Sequence, residues 1–94
     1  MDALHHVYND LRPELREFLQ NRTRANFFRL TWRTVVCILT TENGFEVLGE
    51  AHVSDPEKYD YETGKEIALR DAIRKLDEHL AFLQREGGSK DEPV

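Results

Sequence analysis

The sequence predicts a small α+β protein: an N-terminal helical segment, an antiparallel β-hairpin and a long C-terminal helix, with the sheet completed by dimerisation. Three observations carry this. Apolar residues recur at three- and four-residue spacing over residues 3–22 and again over 61–85, the period of an amphipathic helix. Between them, Val35-Val36-Cys37-Ile38-Leu39 is rich in β-branched residues, which favour strands. Asn43-Gly44 then separates this run from Glu46-Val47-Leu48, and Asn-Gly between two apolar runs is the strongest short-range hairpin signal.

The first stripe is Leu4, Val7/Tyr8, Leu11, Leu15 and Phe18/Leu19. Pro13 interrupts it, because its ring crowds the preceding turn and it has no N–H to donate. The spacing predicts a short helix ending near Asn9 and a second with Pro13 in its first turn; one kinked helix is the alternative. Asn21 to Ala25 is polar and reads as the connection to the strands.

Residues 28–40 read as one long strand. A two-residue type I′ turn at Asn43-Gly44 would pair Thr40 with Val47, Ile38 with Gly49, Val36 with Ala51 and Thr34 with Val53. Register decides which face is buried. This one places Thr34, Val36, Ile38, Val47, Gly49, Ala51 and Val53 on one face, where the two small residues leave room for a helix. Val35, Cys37, Leu39 and Leu48 fall on the other with Glu50 and His52. That second face is apolar near the turn and is the expected oligomer interface.

After Val53, Ser54-Asp55-Pro56-Glu57 reads as a turn, with Ser54 or Asp60 available to cap a helix. The helix stripe is Ala68/Leu69, Ala72/Ile73, Leu76, Leu80 and Leu83, and the opposite face is charged. Glu66–Arg70 and Asp71–Lys75 are i,i+4 pairs in the favourable orientation. Gly87-Gly88 ends the helix, so residues 1–86 read as one domain and 87–94 as a disordered tail. An isolated two-stranded hairpin is marginal in water. The economical remedy is a second copy, giving a homodimer or higher oligomer; the rival is a monomer whose N-terminal helix covers the second face.

Composition narrows the function. The chain has 94 residues, 39% hydrophobic and 33% charged, with a net charge of −5, which excludes a uniformly basic nucleic-acid binder. The lone Cys37 forms no internal disulfide and no cysteine-based zinc framework. The longest apolar run, Val35 to Leu39, is far short of a membrane span. These features predict a soluble protein of the cytoplasm. Charge is divided between the halves: residues 1–40 hold six arginines and four acids, residues 41–94 seven basic groups and fourteen acids. No acid lies between Leu19 and Thr41, where Arg22, Arg24, Arg29 and Arg33 fall with Trp32. The ordinary reading is that these arginines neutralise the acidic half. The sharper one is a binding patch for an anion or an acidic partner, since the planar guanidinium fork suits phosphate and carboxylate.

The expected register brings Cys37, Glu50 and His52 to one sheet face. Three such groups without a fourth make a weak metal site, and a lone cysteine is most often a small buried hydrophobe. His5 and His6 diverge on a helix, and His79 lies in a charged helical stretch. Asp55, Glu57, Asp60 and Glu62 lack the alternation and central glycine of a calcium loop. No phosphate loop, nucleophile elbow or paired helical histidines occur. No enzyme, cofactor or metal is expected. Tyr8, Phe18, Phe27, Phe28 and Trp32 lie among the arginines, as core and interface residues or, on the sharper reading, as a stacking surface.

The run Val35 to Glu50, with Asn43-Gly44-Phe45 and Gly49-Glu50, continues into Asp55-Pro56-Glu57-Lys58-Tyr59-Asp60, Gly64-Lys65-Glu66-Ile67-Ala68 and Asp71-Ala72-Ile73-Arg74-Lys75-Leu76. This order of blocks, over about residues 32–85, resembles a small tailed-phage protein family of the gene 49/gene 66 type. The chain departs from that pattern at Asp77, where the family carries Trp, and at His52, where it carries a small residue. The resemblance implies phage or prophage origin and no particular reaction.

The function expected is that of a phage accessory protein acting by stoichiometric binding to a host factor, in host takeover or counter-defence, in the host cytoplasm. The alternative is an oligomeric sequesterer of a small anionic ligand, such as a nucleotide, through Arg22, Arg24, Arg29, Arg33 and Trp32. Neither nucleic acid nor a membrane is an expected partner.

Overall fold

In the computed structural model, residues 5–54 and 60–88 are described. Their order is α1 (His5–Asn9), α2 (Pro13–Arg22), β1 (Thr23–Thr31), β2 (Thr34–Thr41), β3 (Glu46–His52) and α3 (Tyr61–Gly88). The fold is α+β, with a three-stranded antiparallel sheet in the order β1-β2-β3. Residues 89–94 of the expected tail and the Asp55–Tyr59 turn lie outside the described residues.

Pro13 acts as its chemistry requires. It occupies the first turn of α2, after Arg12 in extended geometry, and α1 stops at Asn9. Leu15 and Leu19 of α2 join Val7 of α1 in the core. Arg12 then ties this segment to α3 through a two-pronged contact with Asp77, at 2.7 and 3.2 Å. The Asp77 carboxyl is held below its usual range by that guanidinium.

The sheet corrects the expectation in two respects. First, residues 28–40 are not one strand. The chain reverses at Trp32-Arg33, so that β1 pairs with β2 from Thr23↔Thr41 to Arg29↔Val35, with an irregularity between Arg29 and Thr31. The polar connection expected at 21–25 is largely strand. No Gly, Pro, Asn or Asp marks this turn; instead the Thr31 hydroxyl accepts the Arg33 N–H at 3.1 Å. The hairpin thus receives its third strand from its own chain, which removes the argument that only a second copy could complete it.

Second, the β2–β3 register is displaced by one residue. Thr40 pairs with Glu46, Leu39 with Val47, Cys37 with Gly49 and Val35 with Ala51. Gly44 alone has positive φ, at +92°, and no described non-glycine residue does, so Asn43-Gly44 does not form a type I′ turn. The Gly44 N–H donates to the Thr41 carbonyl at 2.9 Å and the Thr41 N–H to the Phe45 carbonyl at 2.8 Å. This is a three-residue loop, a type I turn closed by a left-handed glycine. The Thr41 hydroxyl supports it by accepting the Phe45 N–H at 3.0 Å and donating to the Asn43 side chain.

A one-residue slip exchanges the faces of one strand relative to the other. Val35, Cys37 and Leu39, expected on an outer interface, are 0% exposed. They share the inner face with Val47, Gly49 and Ala51, beneath Ala68, Leu69, Ala72, Ile73 and Leu76 of α3. Gly49 does have the close-approach role its size suggests: a Cβ there would lie 2.7 Å from the Ala72 Cβ and overlap the Ala68 carbonyl oxygen and Ala72 nitrogen. Asp60 caps α3, accepting the Glu62 N–H at 3.2 Å and the Thr63 hydroxyl at 3.1 Å. The helix runs to Gly88, slightly beyond the expected end.

Candidate functional site

Antiparallel pairing makes successive residues of a strand point their backbone groups alternately to the two sides. The Glu42 N–H donates to the Arg22 carbonyl at 2.9 Å. Even-numbered residues 24, 26 and 28 therefore turn their backbone toward β2, while Ala25 and Phe27 turn theirs to the open side of β1. On β3 the outward groups are those of Leu48 and Glu50.

The two edges are treated differently. On β3, Lys75 Nζ donates to the Leu48 carbonyl at 3.0 Å and the Glu50 N–H donates to Asp71 Oδ2 at 3.0 Å. Asp71 and Lys75 also pair with each other at 3.2 Å. One ion pair of α3 thus occupies the backbone groups that an incoming strand would need. The Arg74 guanidinium first, then the Glu50 N–H and Lys75, draw the Asp71 carboxyl down to about 2 against the opposing effect of burial. On β1, no described residue hydrogen-bonds to the outward backbone groups of Ala25 or Phe27. An open strand edge is a template for another chain.

The Asp71 device predicts a pH effect. A carboxyl whose folded value is depressed stabilises the fold above its unfolded value and loses that contribution as pH falls through the folded one. The contribution should be complete above about pH 4 and fade between the ordinary 3.8 and about 2. Urea midpoints measured across that range should fall for the wild type, and Asp71→Asn should flatten the part owed to this group.

The four arginines do not converge on one pocket. Arg22 lies at the hairpin end, 3.7 Å from the Glu42 carboxylate. Arg24 is on the outer sheet face, paired in register with Thr40. Arg29 is on the inner-face register and packs over the Tyr61 ring at 5.9 Å. Arg33 lies at the opposite end, donating from Nε to the Val53 carbonyl at 3.1 Å, its guanidinium 5.2 Å from the Trp32 ring. Trp32 and Arg33 form a local pair, whereas Arg22 is at the far end of β1. Of the aromatic residues, Phe18 and Phe27 pack against the core and Tyr8 joins them; Phe28 and Trp32 are exposed.

Cys37, Glu50 and His52 are not one cluster. Cys37 is buried on the inner face, where desolvation pushes its thiol up to about 12, so it is a packing residue and not a nucleophile. Glu50 and His52 lie on the outer face and contact each other at 3.1 Å. His6 contacts Glu66 at 3.3 Å, and His79 stacks on Phe45 with ring centroids 4.1 Å apart. Among the described residues no three His, Cys, Asp or Glu side chains are grouped to hold a metal ion. Nor is any described helix long and apolar enough to cross a membrane.

Concavities occur near the arginines, among them an open one of about 470 Å³ at Glu14, Glu17, Phe18, Asn21 and Arg22 and two more. One of about 310 Å³ lies where the end of α2 meets the β2–β3 turn and α3, and includes Phe18, Arg22, Asn43, Phe45 and His79. The other, about 300 Å³, is a shallow recess at Arg33, Thr34, His52 and Val53. What sequence reasoning missed is β1 as an edge strand, because its turn is marked by a threonine hydroxyl and by none of the usual turn residues.

No curated protein and no solved structure matches the chain. A family model does, that of the phage protein (N4 Gp49/phage Sf6 gene 66) family, over residues 14–87. The match begins well before the blocks that carry the resemblance in sequence, and takes in α2, β1 and all four arginines. It spans every strand and almost all of α3. The chain belongs to the phage protein (N4 Gp49/phage Sf6 gene 66) family.

Proposed function

We propose that this is a non-enzymatic phage accessory protein that acts by stoichiometric binding to a host protein, in host takeover or counter-defence, and that β1 is the strand it presents. The observation that carries this reading is the difference between the two sheet edges. Asp71 and Lys75 occupy the outward backbone of β3, while no described residue bonds to the outward backbone groups of Ala25 and Phe27 in β1. An extended segment added to an open edge gains main-chain hydrogen bonds for affinity and side-chain contacts for specificity. β1 has the composition Thr-Arg-Ala-Asn-Phe-Phe-Arg-Leu-Thr, with two arginines and no acid. The segment that complements it is acidic and apolar in alternation. Two β1 strands from two copies would bring four arginines to one seam without a carboxylate.

The test uses tagged full-length protein in extract of infected host cells, with captured proteins identified by cross-linking. The decisive variant is Ala25→Pro. Its N–H points away from β2, so proline removes only an outward donor, and edge strands tolerate proline there. A host protein captured at one-to-one stoichiometry by wild type, and lost in Ala25→Pro with the melting temperature little changed, supports the proposal. Recovery of the protein alone, or undiminished capture by the variant, overturns it.

A second reading has one observation in its favour. The 310 Å³ cleft combines Arg22 with Phe18, Phe45 and His79, a guanidinium beside stacking surfaces. A small planar anion, such as a nucleotide, would find charge and aromatic area there. Thermal-shift measurements against nucleotides decide it, because a bound ligand raises the melting temperature by mass action. Arg22→Ala should abolish any such rise.

A further inference from the structure

All three helices lie on the inner side of the sheet, through Val7, Leu15, Leu19, Leu69, Ile73 and Leu76. The outer side has no described element over it. Register places its side chains in rows across β1, β2 and β3: Arg24–Thr40–Glu46, Asn26–Ile38–Leu48 and Phe28–Val36–Glu50. Its middle is apolar, and Phe28 and Leu48 stay 49% and 44% exposed. Leu30 and Trp32, 63% and 47% exposed, lie next to it in the β1–β2 reversal. Of the large exposed hydrophobic residues among the described ones, register puts Phe28 and Leu48 on this face. Contiguous apolar surface of this kind marks an interaction site.

We propose that the occupant is a second copy of this chain, stacked face to face about a two-fold axis parallel to β2. Charge placement selects the occupant and the axis. Arg24 and Glu46 stand at opposite edges of one row, and neither has an ionic partner among the described residues. Strands are spaced about 4.8 Å apart, so the two lie roughly 10 Å from each other, beyond ion-pair reach. Rotation about that axis carries β1 of each copy over β3 of the other at the same level. Arg24 then faces Glu46 of the second copy, twice, across sheets about 10 Å apart. Ile38 meets its own counterpart at the centre, beside Val36, which is only 6% exposed in the single chain, and Phe28 covers the aliphatic part of Glu50. A two-fold across the strands would lay β1 on β1 and oppose arginine-bearing strands. The surface is therefore self-complementary about one axis, as an isologous dimer requires. The β1 edges stay at the rim, so this dimer goes beyond the host-binding proposal and stands or falls without it.

The test is sedimentation equilibrium of the full chain over a micromolar concentration range, with circular dichroism to verify folding. Wild type should sediment at twice 11.0 kDa. Leu48→Lys, at an already exposed position, should sediment as a folded monomer. Arg24→Glu and Glu46→Arg should each weaken the dimer at least tenfold, and the double variant should restore it, because the swapped charges again face each other. A wild-type particle of 11.0 kDa throughout, a dimer indifferent to Leu48→Lys, or a double variant weaker than both single ones would overturn the proposal.

Discussion

Gly49→Val should leave the protein unfolded at room temperature, and Gly49→Ala should cost about 3 kcal/mol or more. The reason is that the obstruction is backbone. A Cβ at this position would overlap the Ala68 carbonyl oxygen and the Ala72 nitrogen, with the Ala72 Cβ 2.7 Å away. Helix α3 cannot yield there without lifting off β3, and that would also withdraw Asp71 and Lys75 from the strand edge. A domain of this size has about 5–15 kcal/mol of stability in total. Gly44→Ala is the informative comparison. Gly44 has φ +92° and open space around it, so the substitution costs only the left-handed strain of about 1–2 kcal/mol. Urea unfolding followed by far-ultraviolet circular dichroism ranks the variants. A Gly49→Ala midpoint equal to that of wild type would mean that α3 does not lie on β3 as described.

Leu39→Ala is expected to lose about 2–5 kcal/mol, the usual cost of emptying a fully buried leucine site. Leu48→Ala should lose less than about 1 kcal/mol of monomer stability, because its side chain is 44% exposed while Leu39 is 0% exposed. The pair reads the hairpin register directly. With a two-residue turn both leucines would share an outer face, and the two substitutions would have similar effects. With the observed three-residue loop they lie on opposite faces. Measured at a concentration where the chain sediments as a monomer, equal losses would reject the register. A large loss confined to Leu39→Ala supports it.

The two turns differ in how far sequence announces them. Asn43-Gly44 correctly marked a reversal, but the number of loop residues depended on what else the turn could satisfy. The Thr41 hydroxyl accepts the Phe45 N–H, and the larger loop brings Val35, Cys37 and Leu39 under α3. The Trp32-Arg33 reversal had no glycine or proline to announce it, so one predicted strand was in fact parts of two. The misreadings had two consequences: Val35, Cys37 and Leu39 of the expected oligomer interface became core while Leu48 stayed outside, and the sheet acquired its third strand partly from residues read as a linker. The Arg window suffered similarly. Alternation along β1 sends Arg24 to one face and Arg29 to the other, so proximity in sequence did not become convergence in space.

The order of sequence blocks carried the resemblance to the phage family, and the amino-acid order alone determined the local elements: the break at Pro13, the amphipathic period of α3, a cap at Ser54 or Asp60, and the need for a small residue where helix crosses strand. These follow from steric and periodic rules acting over a few residues. Which sheet face is buried, which edge is capped and which arginines meet were decided only by tertiary packing. Strand register has a period of two, and a shift of one residue inverts a face at almost no local cost. The choice between the two arrangements lies in contacts among residues far apart in the chain, which no local pattern records.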